Sequence, residues 1–131
     1  MSSKSPHVLV VEDQEDIRFI IAEELVEAGF AVSEAHQADE AQALLQSGLR
    51  VDIVFSDIMT PGQITGVALA RWISRVHPGL PIILTSGYTA WLEADPSLLV
   101  IEKPYLIARV IIAIRNALGI EERLAAHTGT H

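Results

Sequence analysis

The sequence predicts an α/β fold in which a parallel sheet is covered on both faces. Two patterns support this: short apolar, β-branched runs alternate with longer stretches of helical periodicity, and five such runs occur in succession. Length supplies a third: 131 residues, half of them hydrophobic, suffice for one core and are too few for two ordinary domains.

The first run, His7–Val11, is short, apolar and β-branched, as a buried strand requires. Ile17, Ile20, Ile21, Leu25 and Ala28 then fall at helical spacing, with Glu24 the polar exception on that stripe and Gly29 at the expected stop. Ala31–Ala35 is a second strand, less apolar and therefore expected at a sheet edge. A short helix, Asp39–Gln46, is closed by Ser47-Gly48. Ile53–Phe55 is a buried strand ending at Ser56-Asp57, after which Thr60-Pro61-Gly62 is turn chemistry. From about Gly66, Leu69, Ile73 and Val76 mark one helical face, and Pro78-Gly79 ends it. Pro81–Leu84 is the fourth strand. Between Thr85 and Leu98 the pattern is poor, broken by Gly87 and Asp95-Pro96, so the fourth helix is expected to be short or irregular. Leu98–Ile101 is the fifth strand, and a last helix carries Ile107, Val110, Ile111, Ile114 and Leu118 on one stripe before Gly119. Residues 1–6 are expected to be a disordered N-terminus, 7–119 the domain and 120–131 an extension or tail. Right-handed crossovers leave the flavodoxin-like strand order 2-1-3-4-5 as the usual topology at this size.

Composition removes several functions. Without cysteine there is no disulfide, thiolate zinc site or cysteine nucleophile. A formal net charge of -8 repels phosphate backbones, so no nucleic-acid binding is expected. No apolar run reaches the roughly 18 residues of a membrane span. No signal core follows Met1–Pro6 either, because Glu12-Asp13 comes directly after the first strand. A cytoplasmic protein without membrane contact is expected. The histidines at 7, 36, 77, 127 and 131 show no ligand spacing and are expected to be solvated.

In such a sheet all strands open their carboxyl ends on one edge, where ligands bind. The first strand ends in Glu12-Asp13, the third in Asp57, the fourth in Thr85-Ser86 and the fifth in Glu102-Lys103. Three crowded carboxylates repel one another unless a hard divalent cation joins them. Mg²⁺ suits the purpose, since it takes about six oxygens from carboxylates, water and phosphate. The carbonyl of Met59, just beyond Asp57, could add another. A phosphodonor lying between the metal and Lys103 would leave Asp57 as nucleophile, giving an acyl phosphate, with the Thr85 hydroxyl free to meet the phosphoryl oxygens. Blander readings exist for each residue: a turn cap for Asp57, a helix cap for Glu12-Asp13, a loop hydroxyl for Thr85, a surface ammonium for Lys103 and a rim carboxylate for Glu102.

Four segments in order, Val8–Asp13, Ser56–Gly62, Thr85–Tyr88 and Lys103-Pro104-Tyr105, resemble the receiver domain of bacterial response regulators, over about His7 to Leu118. The resemblance implies metal binding by Glu12, Asp13, Asp57 and Met59, phosphoryl acceptance on Asp57, a switch hydroxyl at Thr85 and a phosphate-contacting ammonium at Lys103. It also implies a cis bond between Lys103 and Pro104. Its partners would be a histidine kinase or histidine phosphotransfer protein and a downstream protein target, with the domain a monomer or weak homodimer. Such a domain is a phosphoacceptor with intrinsic autophosphorylation and autodephosphorylation rather than a metabolic enzyme.

The chain departs from the family pattern in several places. Val100 stands where an aromatic switch residue is usual, with Tyr88 or Tyr105 as conceivable substitutes. The segment from Thr85 to Lys103 is shorter than usual, Thr60 replaces a commoner apolar residue, and one extra residue lies between Pro61 and Gly66, as in receivers of hybrid kinases. No output domain is expected after Leu118, and the expectation is a single-domain regulator or an excised receiver of a hybrid histidine kinase. A binding module that has lost switching is an alternative. A hydrolase with an aspartyl-phosphate intermediate is disfavoured, since no second aspartate closely follows Asp57.

Overall fold

Residues 5–87 and 95–120 are described by the computed structural model. Their elements are β1 (His7–Val11), α1 (Glu15–Glu27), β2 (Ala31–Ala35), α2 (Ala38–Gln46), β3 (Ile53–Asp57), α3 (Gly66–Val76), β4 (Ile82–Ser86), β5 (Leu99–Glu102) and α4 (Ile107–Leu118). The irregular helix expected before β5, with Tyr88 and Trp91, lies outside the described residues, as do residues 1–4 and the tail from 121.

All strand pairings are parallel, and the sheet order β2-β1-β3-β4-β5 is the one the sequence predicts. The less apolar β2 is an edge strand, as expected. Gly29, at φ 102°, ends α1 in a conformation that L side chains rarely adopt.

Period-two alternation divides the core. Val8, Val10, Ile53, Phe55, Ile83 and Ile101 pack with Ile21 and Leu25 of α1 and with Val110 and Ile114 of α4. Leu9, Val11 and Val54 pack on the other face with Ala41 and Leu45 of α2 and Leu69 and Ile73 of α3. The outer part of that second face is a smaller cluster of Ile58, Val67, Ala70 and Leu84, with Val100 against it. Each fully buried Leu, Ile or Phe contributes about 1.5–3 kcal/mol through apolar area removed from water.

Three strands run further than apolar patterning indicates. β3 includes Asp57, β4 continues to Ser86 and β5 to Glu102, because the ladder extends through the pairs Asp57↔Thr85 and Ser86↔Glu102. Backbone pairing is indifferent to the polar side chains there. Three expected core positions are exposed, Ile17 by 37%, Ile20 by 56% and Val76 by 51%, since α1 buries Ile21, Ala22 and Leu25 and α3 turns its last residue outward. Of the histidines, His36 is exposed. His7 and His77 are half-buried, His7 by a hydrogen bond with Ser33 Oγ at 2.7 Å and His77 edge-on to Trp72.

Candidate functional site

The buried polar side chains among the described residues are Glu12, Ser56, Asp57, Thr85 and Ser86, all at the carboxyl ends of β1, β3 and β4. Glu12 is 3% exposed and Asp57 7%. Their position follows from strand phase: Glu12 continues the row Val8-Val10, Asp57 the row Ile53-Phe55, Thr85 follows Ile83, and Lys103 follows Ile101. Residues that two positions earlier fill the core beneath α1 and α4 give way to chemistry at the sheet edge.

Oxygens of Glu12, Asp13 and Asp57 lie within 4.8 Å of one another, with Asp13 exposed and the other two buried. Lys103 Nζ donates to Asp57 Oδ2 at 2.8 Å. Asp57 Oδ1 accepts a long contact from the Met59 N–H at 3.4 Å, and Ser56 Oγ donates to the Asp57 carbonyl at 2.8 Å. Thr85 is the direct register partner of Asp57. Its Oγ1 is buried and has no hydrogen-bond partner among the described residues.

Electrostatics tie these groups together. Burial pushes the Glu12 carboxyl above the ordinary carboxylate range; the Gln14 N–H and Lys103 act against this, and the charges of Asp57 and Asp13 act with it. The Tyr105 phenol is pushed up to about 12, first by burial and then by the negative charges of Glu12 and Asp57. Tyr105 packs edge-on to Phe55, with ring centroids 6.0 Å apart.

Whether this pocket suits Mg²⁺ can be judged from its donors. They are all oxygens, as a hard cation prefers. Three carboxylates are gathered around Asp57, which pairs with the Lys103 ammonium, so a divalent charge relieves the repulsion that adds to burial in raising Glu12. The unpartnered Thr85 hydroxyl costs about 1–3 kcal/mol unless some oxygen-rich group meets it. The residues fit.

The helix-cap reading of the acidic pair does not hold. Gln14 is the N-cap of α1, and Glu12 Oε2 accepts its N–H at 3.0 Å from the preceding loop. Glu102 is exposed, as a rim residue should be. The Met59 side chain is 55% exposed. The Lys103-Pro104 bond is cis, as the family resemblance implies. Tyr105 belongs to the core under α1 and α4, whereas Val100 packs on the opposite face, so Tyr105 does not occupy the missing aromatic's place.

Sequence reasoning missed Arg18. From α1 its Nη1 donates to the Glu12 carbonyl at 2.8 Å while its Nε holds Glu34 at 3.0 Å, fixing the loop that presents the acidic pair. An arginine in an otherwise apolar stretch was the available signal.

Comparison with known proteins agrees with this geometry. The profile of the response regulator receiver domain matches residues 8–97. The C4-dicarboxylate transport transcriptional regulatory protein DctD of Rhizobium meliloti is 35% identical over 120 residues, covering 88% of this chain and 26% of its own length. The chain spans between 13% and 52% of the first curated relatives it matches. A response regulator receiver protein from Sinorhizobium medicae superposes with a TM-score of 0.81 at 28% identity, over 90% of this chain and 98% of that one. The response regulator TrrA from Thermotoga maritima, solved in complex with Mg²⁺-BeF, superposes at 0.77 with 28% identity, over 86% and 99%.

Proposed function

The chain belongs to the response regulator receiver domain family, and from that premise we propose that it accepts a phosphoryl group on Asp57 from a histidine kinase or histidine phosphotransfer protein. The observation that carries the proposal is the 2.8 Å contact of Lys103 Nζ with Asp57 Oδ2 beside the cluster of Glu12, Asp13 and Asp57.

In this reading Asp57 attacks the phosphorus of a phosphohistidine, the P–N bond breaks, and the imidazole leaves with its electron pair. Glu12, Asp13, Asp57 and the Met59 carbonyl would hold Mg²⁺, which when bound offsets charge on the phosphoryl oxygens. The Lys103 ammonium, drawn to the Asp57 carboxylate beforehand, transfers its contact to the new phosphoryl oxygens. Thr85, the register neighbour of Asp57, supplies a hydroxyl that gains an acceptor only once the phosphoryl group is there. The similar fold of TrrA, which was solved in complex with Mg²⁺-BeF, supports this assignment. The acidic balance of the chain favours a protein target over nucleic acid, and a cytoplasmic setting suits a kinase donor. The chemistry is the same whether the domain acts alone or within a longer regulator.

Incubation with Mg²⁺ and acetyl phosphate, or with a phosphorylated kinase, should add one phosphoryl group by intact mass. Asp57→Asn should add none; a labelled Asp57→Asn protein would rule the assignment out.

Val100 supports a second reading, a binding module that is phosphorylated without switching. It fills its site against Leu84 and Ala70 with a small aliphatic side chain and offers no ring to rotate inward. Beryllium fluoride titration followed by amide NMR separates the two: shifts confined to the site indicate the passive module, and shifts extending to β5 and α4 indicate a switch.

A further inference from the structure

The segment that follows the phosphoacceptor is tethered to the first turn of α2, far away in sequence. Asp39 Oδ1 accepts from the N–H groups of Gln63 at 3.0 Å and Ile64 at 3.2 Å, and Oδ2 accepts from Gln63 at 2.9 Å. In the reverse direction the Ala38 N–H donates to Thr60 Oγ1 at 3.1 Å. Between these contacts Gly62 sits at φ +105°, and a Cβ there would come within 2.5 Å of Asp39 Oδ1. Loop and carboxylate are thus in van der Waals contact at the one position where a side chain would part them.

The other end of the loop is also held. The Gly66 N–H donates to the Ile58 carbonyl at 2.7 Å, and Thr65 Oγ1 accepts from the Ala68 N–H at 3.1 Å. Between these anchors the Met59 N–H makes a long contact with Asp57 Oδ1 at 3.4 Å. Met59 thus lies between the strand end at Asp57 and the residues pinned at Thr60 and Gln63.

We propose that Asp39 is a positioning residue for the phosphorylation site: by holding the Gln63 and Ile64 amides, beside the Ala38 contact to Thr60, it fixes the loop and thereby the Met59 carbonyl that completes the metal's oxygen donors. This rests on the reading of the site given above. Donors held indirectly in this way govern metal affinity, and losing such support typically costs about 10-fold or more.

The test titrates Mg²⁺ calorimetrically into the metal-free full chain and follows amide exchange at Gln63 and Ile64. Asp39→Ala should weaken Mg²⁺ about 10-fold and speed exchange at both amides, while Asp39→Asn, which keeps an acceptor oxygen without the charge, should restore most of both. Unchanged Mg²⁺ affinity in Asp39→Ala overturns the proposal. So does an Asp39→Asn protein as weak as Asp39→Ala, since the carboxylate would then act through its charge alone. If Asp39→Ala does not fold, Gly62→Ala parts the same contact and should show the same loss, and an unchanged affinity there is equally fatal. A wild-type protein that binds no Mg²⁺ defeats the reading of the site itself, a result distinct from a wild type that binds and variants that bind as well.

Discussion

The two faces of the sheet begin alike and end differently. Beneath α1 and α4, the rows through Val10, Phe55, Ile83 and Ile101 run on in phase to Glu12, Asp57, Thr85 and Lys103. Beneath α2 and α3, the rows through Val11, Val54, Leu84 and Val100 run on to Asp13, Ser56, Ser86 and Glu102. The first set holds the buried acids, the orphan hydroxyl and the ammonium. In the second, Ser56 bonds its own strand, and Asp13 and Glu102 face solvent. Asp13 still reaches the carboxylate cluster from the exposed side, but at Asp57, Thr85 and Lys103 strand parity separates the residue that does chemistry from its polar neighbour, and those neighbours should respond very differently to substitution.

The sharpest contrast is between Lys103 and Glu102. Loss of one preorganised cationic donor should slow labelling by acetyl phosphate on the order of 100-fold in Lys103→Ala. Glu102→Ala, one residue away on the solvent-facing phase, should change the rate by less than about 2-fold. Comparable rates for the two variants would break the parity argument.

A second contrast lies where the loop after Asp57 returns to α3. A Cβ on Gly66 would meet the Asp57 carbonyl oxygen at 2.5 Å and Ile58 Cα at 2.9 Å. Backbone cannot yield as a flexible side chain can, so Gly66→Ala should cost about 1–3 kcal/mol in urea unfolding and displace the phosphoacceptor strand end. Gly79→Ala, with open space around it, should not. Equal midpoints for the two variants would show that the loop accommodates freely.

The hydroxyl of Thr85 gives a smaller effect of opposite sign. Thr85→Val removes a buried group that has no partner and keeps the shape, so the metal-free protein should gain about 1 kcal/mol. The same variant should respond less to beryllium fluoride, because the hydroxyl's acceptor arrives with the phosphoryl mimic. A variant destabilised without ligand would mean that the hydroxyl is already satisfied.

These contrasts also show what could be read from sequence. Glu12, Asp57, Thr85 and Lys103 were legible because each sits two residues beyond an apolar strand position, and one topology brings those ends together. The length of β3, β4 and β5 was not, since the ladder continues through polar residues that apolar periodicity discounts. Exposed Ile17, Ile20 and Val76 were misjudged because helical spacing defines a stripe but not how far the neighbouring elements cover it. Arg18 and Asp39 act on backbone groups, a carbonyl in one case and two amides in the other. Backbone partners leave no mark in the identity of the residues that supply them.

The smallest effect reads the charge of the active face directly. Tyr105 lies against that face, its phenol raised from 10.0 to about 12 by burial and by Glu12 and Asp57. The folded state therefore holds the phenolic proton more tightly than the unfolded chain. The resulting stability is fully present below pH 10 and is lost as pH rises through about 12. In a Tyr88→Phe background, which removes the other tyrosine, phenolate absorbance should rise well above the ordinary tyrosine range. Asp57→Asn should then lower the Tyr105 midpoint, because one of the charges opposing phenolate formation is gone, whereas Glu34→Gln, on β2 and outside the causes of the shift, should leave it in place. A Tyr105 that titrates near its ordinary value, or that ignores Asp57→Asn, would mean that the negative charge at this end of the sheet does not reach the core side of the face from which it projects.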